Sequence, residues 1–155
     1  MKVEYINPFI EAAQSVIKAI CSVNVKLGKV YLKSSPISFN QIIIIIGVVG
    51  RIKGQISFEL SQQTAKKIVS IMMGGMLITE LDEISKSAIS EMGNMIMGNA
   101  STIFATNSID IDITPPTLLT GDKIEVSNKV ATIVVPLELE GLGSINLNIN
   151  ADEVL

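Results

Sequence analysis

A predicted helix over residues 82–105 carries the side chains that could do chemistry. At about 100° per residue, an arc of about 80° on this helix collects small and polar residues. These are Ser87, Glu91, Asn94, Gly98 and Ser101. Apolar residues, Ile84 and Met95 among them, cover much of the remainder, which predicts a mostly buried helix with Gly93 on its packed side. The solvated side of an ordinary helix is rich in Lys, Glu and Arg, whereas Ser, Asn and Gly weaken a helix. The arc therefore favours a recognition surface, although it could also be only the wet side of the helix.

A carboxylate and a carboxamide can accept and donate hydrogen bonds, but the residues for several other kinds of chemistry are missing. The chain has no histidine, which removes the usual base of a Ser-His-Asp triad and the commonest zinc ligand. Cys21 is the single cysteine, and its apolar neighbours indicate a buried small hydrophobic residue. No phosphate-binding loop is present. An enzyme that acts on a small molecule is therefore the least favoured interpretation, and we expect no metal site.

The composition indicates a single globular domain. Of 155 residues, 48% are hydrophobic and 17% are charged, which is too apolar for a disordered chain. The net charge is −3 and no Lys/Arg cluster occurs, so nucleic-acid binding is not expected. The N-terminus lacks a signal-peptide pattern, and the most apolar run, residues 42–49, is too short to span a bilayer. We expect a cytoplasmic protein that does not bind a membrane.

Hydrophobic periodicity predicts the elements that position this helix. In chain order they are a helix at 8–22, a short strand at Val30 and Leu32, a strand at 42–49, a turn at 50–54, a strand at 55–60, a helix from the cap Ser61 to Met73, the long helix capped by Asp82, strands at 123–126 and 130–139, and a last strand at 145–149. Pro8 suits a first helical turn, and Pro136 suggests a strand break or a sheet edge. The β-branched run 42–49 predicts a strand near the sheet centre that is buried on both faces. The expected fold class is α/β (α+β), a mostly antiparallel sheet with helices layered against it.

The two halves of the chain, about residues 6–75 and 82–150, look like copies of one unit. Strand 55–60 and strand 144–149 share an alternating pattern after a glycine. Each half also has a glutamate, an amide three positions later and a proline 22 positions after the amide: Glu11, Gln14 and Pro36 in the first half, and Glu91, Asn94 and Pro116 in the second. We therefore predict one domain over residues 1–155 built from two pseudo-repeats.

The stretch LDEISKSAISEMGNMIMGNA resembles the signature helix of the CheC/CheX chemotaxis phosphatases. That signature is an Asp or Ser, three residues, a Glu, two residues, an Asn, and a Pro some twenty residues later. The matching positions are Ser87, Glu91, Asn94 and Pro116. The flanking stretches KIVSIMMGGM and DITPPTLLTG are similar to the CheX branch in particular. The resemblance implies the fold of that family over nearly the whole chain.

The first half departs from the signature at two positions. Gln14 stands where the family has Asn, and Asn7 stands where it has Asp or Ser. CheX-like proteins use the second half only. The resemblance therefore implies one active site per chain, with Glu11 and Gln14 as a remnant of a second.

The resemblance further implies a substrate, a chemistry and an assembly. The substrate is a CheY-like receiver domain phosphorylated on an aspartate, and the receiver itself holds the divalent metal, Mg²⁺, so this chain needs no cofactor of its own. Asn94 would orient the attacking water, and Glu91 would pair with the receiver's lysine and set the docking register. Ser87, Gly98 and Ser101 would contact the partner, and Ser87 could instead support Glu91. CheX-like proteins are homodimers, which predicts the same here.

Two alternatives remain at the level of sequence. The same surface could bind a receiver or a flagellar-switch component without turning over phosphate. The domain could also serve only as a structural or dimerisation unit. Accelerated decay of a phosphorylated receiver separates the enzyme from both.

Overall fold

The computed structural model describes residues 1–155 as three helices and eight strands. The helices are α1 (Val3–Cys21), α2 (Gln62–Met72) and α3 (Glu83–Thr106), and the strands are β1 (Val25–Leu27), β2 (Tyr31–Lys33), β3 (Ile37–Gly50), β4 (Ile52–Leu60), β5 (Ile111–Ile113), β6 (Thr117–Val126), β7 (Thr132–Leu139) and β8 (Gly143–Glu153). Every strand pair is antiparallel, which confirms the predicted class. None of the three helices combines the length and the apolar character needed to cross a membrane.

The sheet has an internal two-fold symmetry. Its order is β1-β7-β8-β4-β3-β5, with β2 also on β7 and β6 also on β3. The strands correspond in pairs, β1 with β5, β2 with β6, β3 with β7 and β4 with β8. If the two members of each pair are exchanged, the strand order is unchanged except that it is read from the opposite edge. At the middle, Phe58 of β4 lies opposite Leu147 of β8, and Ile56 and Leu60 lie opposite Ile149 and Ile145. This symmetry supports the proposal that the halves are related copies.

The helices cover one face of the sheet and enclose the main core. Phe9 of α1 and Phe104 of α3 meet edge to face with their ring centroids 5.1 Å apart. Gly93 lets α3 approach the sheet closely, since a Cβ there would lie 3.4 Å from Ile44 and 3.5 Å from Phe58. The predicted packing role of Gly93 fits this position. The core therefore fixes how far α3 stands from β3 and β4.

Strand β3 is buried on both faces, as predicted, but it does not lie at the sheet centre. Ile42 and Ile44 belong to the core under the helices, whereas Ile43 belongs to a smaller cluster with Ile37 and Phe39. Ile124 and Val126 of β6 pack against this smaller cluster on the far face. Strands β4 and β8 occupy the middle of the sheet instead. The β-branched run thus predicted burial on both faces correctly. The position near an edge was not predicted, because β6 side chains pack on the far face there.

Two prolines occupy positions other than those predicted. Helix α1 begins at Val3, so buried Pro8 lies inside it rather than in its first turn. The additional turn is held by the Tyr5 hydroxyl, which donates to Glu153 at 2.8 Å. Pro136 lies within continuous β7, and its carbonyl accepts from the Gly28 amide at 2.9 Å. Since the N and O of one strand residue point the same way, the missing N–H of Pro136 faces the gap between β1 and β2.

Candidate functional site

Helix α3 is the element that presents the candidate site. Asp82 caps it as predicted, because its Oδ1 accepts from the Ser85 amide at 2.8 Å. Hydrogen bonding to Ser85 also lowers the pKa of the Asp82 carboxyl. One side of the helix faces the core through the residues Ser85, Ile89, Met92, Gly93, Ile96, Met97, Ala100 and Phe104. With that side held by packing, the opposite side is fixed relative to the sheet.

Glu91 and Asn94 lie on the outer side of α3 with their polar atoms available. The Glu91 side chain is exposed and that of Asn94 is half-buried. Several other polar side chains of the helix bond within the chain, for example Thr102 to the Gly98 carbonyl and Thr106 to the Ile103 carbonyl. Neither Glu91 nor Asn94 takes part in such a hydrogen bond or in an ion pair. Both can therefore bind an external partner without breaking an internal contact.

An open groove of about 500 Å³ runs between α3 and β6 beside Glu91. Its lining is mostly polar and comprises Glu83, Lys86, Ser87, Ser90, Glu91, Pro116, Leu118 and Thr120. The fold thus brings Ser87, Glu91 and Pro116 together from distant parts of the sequence, whereas Asn94 lies one turn further along α3. Lys86 is paired with Glu83 at 3.5 Å, which leaves the Glu91 carboxylate as the free charge of the groove.

Gly98 and Ser101 differ in what they offer to a partner. A Cβ at Gly98 would have no neighbour within 4 Å, so the backbone there is open to close approach. Ser101 is half-buried, and its hydroxyl donates to the Ile111 carbonyl at 3.3 Å, which ties α3 to β5. The predicted partner contact at Ser101 would therefore involve a hydroxyl that already has a bond within the chain.

The exposed side of α3 is wider than the predicted polar arc. Ile84 and Met95, expected on the apolar buried side, are 68% and 44% exposed. On the helical wheel they lie about 20° and 40° from Glu91, on the side away from Asn94. The prediction was wrong because it assigned burial by residue type, whereas the angular distance from Glu91 already placed both residues near the centre of the exposed side.

The first half carries a similar but incomplete arrangement on α1. Glu11 is exposed and Gln14 is half-buried. Glu11 and Asn7 line a second groove of about 320 Å³, whose other walls come from α1, the end of α3 and the segment that follows it. Pro8 of α1 lines this groove and Pro36 does not, so the counterpart of Pro116 in the first half takes no part in it. The difference supports a single site on α3.

The structure contains no group of three or more His, Cys, Asp or Glu side chains arranged to hold a metal ion. Glu91, Asn94 and their surroundings are suited to hydrogen bonding and to pairing with a cation. The geometry is that of a surface that docks onto another molecule rather than a pocket that encloses a small substrate.

The chain is similar to proteins of known kind over most of its length. Residues 42–138 match the family model described as "Chemotaxis phosphatase CheX". Over 139 residues the chain is 31% identical to the CheY-P phosphatase CheX of Thermotoga maritima, a match that covers 90% of each protein.

Solved structures show the same similarity in three dimensions. The CheX chain of the CheX–CheY–BeF3–Mg²⁺ complex from Borrelia burgdorferi is 30% identical, with a TM-score of 0.83 over 98% of this chain and 100% of that one. Thermotoga maritima FliY is 22% identical, with a TM-score of 0.70 over 95% of this chain and 86% of that one. At that identity, the likeness to FliY shows a shared fold alone.

Proposed function

Since the chain belongs to the CheX family of chemotaxis phosphatases, as its signature helix predicted, we propose that it dephosphorylates an aspartyl-phosphorylated CheY-like response regulator. One observation carries this proposal: Glu91 and Asn94 stand on the outer side of α3, free of any partner in the chain. The Thermotoga relative is named a CheY-P phosphatase, and the Borrelia relative was solved with CheY. Both support a receiver domain as the substrate.

Asn94 is the residue that we assign to the attacking water. Hydrolysis forms a bond between the water oxygen and phosphorus and breaks the bond between phosphorus and the aspartyl oxygen. The water proton passes to a phosphoryl oxygen, so the products are inorganic phosphate and a free carboxylate. Because phosphoryl transfer depends mainly on positioning and electrostatics, a neutral amide that accepts from the water and donates beside it is sufficient. The absence of histidine is then no obstacle.

Glu91 is the residue that we assign to docking. Its carboxylate is the unpaired charge of the groove, since Lys86 is engaged by Glu83. A lysine of the receiver would complete this pair and set the position of Asn94 against the phosphoryl group. Ser87 and Pro116, which line the same groove, would border the docked receiver. Gly98 would admit the receiver closely.

The metal of the reaction would belong to the receiver and not to this chain. The Borrelia complex was solved with Mg²⁺ and BeF3 together with CheY. In our proposal that ion neutralises charge on the phosphoryl group, while the α3 surface supplies only the water-orienting amide and the docking carboxylate.

The homodimer predicted from the family resemblance is retained as a proposal. Edge strand β2 exposes Tyr31 and Leu32, the latter to 69%, next to Val30. Contiguous apolar side chains at a sheet edge support pairing with a second copy. We expect sedimentation equilibrium to give a dimer and Leu32→Lys to shift it towards monomer. A wild-type monomer at micromolar concentration would contradict the proposal.

The decisive experiment measures phosphate release from a CheY receiver charged with acetyl phosphate. We expect the wild-type chain to accelerate the decay and Asn94→Ala to raise the barrier by roughly 2–4 kcal/mol, as for the loss of one transition-state hydrogen-bonding group. Asn99→Ala, a half-buried asparagine on the same helix but outside the polar arc, serves as the matched control and should retain full activity. Binding of the receiver without accelerated decay would instead indicate a non-catalytic module.

A further inference from the structure

Two large apolar side chains stand in water on the same side of α3 as the catalytic pair. Ile84 is 68% exposed and Met95 is 44% exposed. Single exposed apolar residues are common on protein surfaces, but these two flank Glu91 on one helix. Met95 lies one turn after Glu91, about 6 Å along the axis, and Ile84 lies two turns before it, about 10 Å along the axis. The outer side of α3 therefore has a polar flank with Asn94 and an apolar flank with Ile84 and Met95.

We propose that Ile84 and Met95 form the apolar half of the receiver-docking surface and determine which receivers this chain accepts. The proposal rests on the function given above. The occupant is the receiver itself, and the proposal requires that it present an apolar patch beside its phosphorylated aspartate. The geometry favours this contact, because Ile84 and Met95 lie within about 40° of Glu91 on the exposed side of α3, where a globular partner that reaches both Glu91 and Asn94 would extend over them.

The division of the surface also separates two tasks. In the proposed mechanism, Glu91 and Asn94 act on a lysine and a phosphoryl group, which are features that phosphorylated receivers share. Such contacts cannot distinguish one receiver from another. Burial of Ile84 and Met95 depends on the apolar surface that the partner offers. These side chains can therefore discriminate between receivers that are all dephosphorylated by the same chemical step. Their loss should weaken docking and leave the chemical step unchanged.

The test compares the wild-type chain with Ile84→Gln, Met95→Gln and the double variant. Glutamine keeps a long unbranched side chain and favours helices, so the exposed side of α3 stays folded. Val3→Gln is the matched control, since Val3 is also a β-branched residue in the first turn of a helix and is 66% exposed. The readouts are kcat and KM for acetyl-phosphate-charged CheY receivers from the same genome, and the Kd for each receiver activated with beryllofluoride and Mg²⁺.

We expect the double variant to raise KM and Kd for the preferred receiver by roughly tenfold with kcat unchanged, as for truncation of contacts inside an interface. The ratio of kcat/KM between that receiver and the others should fall by a similar factor. Val3→Gln should leave kcat, KM and Kd unchanged. Unaltered KM and unaltered preference in an active double variant would overturn the inference alone. A wild-type chain that neither binds nor dephosphorylates any receiver would overturn the proposed function as well.

Discussion

Glu91 and Asn94 have no hydrogen-bond or ion-pair partner inside the protein, although each is held by a helix whose far side is buried. A side chain without internal bonds keeps its full hydrogen-bonding capacity for a second molecule. The buried side restricts where that capacity is presented, since α3 cannot rotate without disturbing Met92, Ile96 and the other core residues. At the scale of single residues, the proposed site is thus available and positioned at the same time.

Glu91→Gln tests the docking role at this scale. Glutamine preserves the shape of the side chain and removes its charge, so KM for the receiver should rise by roughly tenfold, the order of one charge-assisted hydrogen bond, while kcat changes little. The measurement is steady-state phosphate release at low and high salt, where the difference between wild type and variant should shrink as salt rises. Glu138→Gln, which removes an exposed carboxylate of β7 outside the groove, is the control and should behave as wild type. A fall in kcat alone would contradict the docking assignment.

At the scale of elements, α3 contains two glycines with opposite surroundings. A side chain at Gly93 would enter the space between Ile44 and Phe58, whereas one at Gly98 would enter solvent. Glycine is the least favourable residue in a helix interior apart from proline. Gly93 thus serves helix–sheet packing, and Gly98 leaves the helix weaker at a place where no packing requires it.

Gly98→Ala is expected to stabilise the protein by about 0.5–1 kcal/mol through helix propensity. Gly98→Leu should keep much of that gain but obstruct the receiver and raise KM. Gly93→Leu is the contrasting variant, because overpacking against the sheet should destabilise by about 1–3 kcal/mol. Urea unfolding gives the stabilities and phosphate release gives KM. A Gly98→Leu variant with unchanged KM would show that no partner approaches closely there.

Much of the element pattern followed from local chemistry. Ser61 accepts from the Thr64 amide at 3.1 Å and Asp82 from Ser85, so both helix starts were readable from the capping residues. The alternation of residues 55–60 likewise matched β4. Sequence reasoning failed where neighbours in space decide: burial of β3 on its far face comes from β6, and exposure of Ile84 and Met95 comes from the absence of anything packed above them. A wheel shows which residues share a side and does not show what covers that side.

At the scale of the whole molecule, a small polar cluster joins the two ends of the chain. Glu153 at the end of β8 accepts from the Tyr5 hydroxyl at 2.8 Å and pairs with Arg51 at 3.1 Å. Lys2 lies 3.8 Å from the same carboxylate. The bond from Tyr5 and the charges of Arg51 and Lys2 lower the pKa of Glu153, and the same bond raises the pKa of Tyr5. The cluster anchors the first turn of α1 to the hairpin of β3 and β4.

The pKa shift of Glu153 predicts loss of stability in acid. A lowered pKa means that the folded state favours the charged carboxylate, so this contribution is complete above the usual value of 4.5 and disappears as pH falls through the lowered value. Tyr5 adds a contribution that is complete below its usual pKa of 10.0 and is lost as pH rises through the raised value. Urea midpoints measured from pH 7 to pH 3 should therefore fall less in Glu153→Gln than in wild type. Glu138→Gln, an exposed control, should follow wild type, and equal slopes in all three proteins would contradict this role.

The ladder between β4 and β8 is the central seam between the two halves, and it consists of nine consecutive cross-strand pairs. Each half also lends its outer strands to the other, β1 and β2 to β7, and β5 and β6 to β3. Because each half brings its own hairpin to this seam, covalent continuity across the exposed Gly74–Gly75 segment is not what aligns them. A polypeptide cleaved between those glycines is expected to remain assembled. Two separately expressed fragments are expected to associate and to restore the same exposed side of α3.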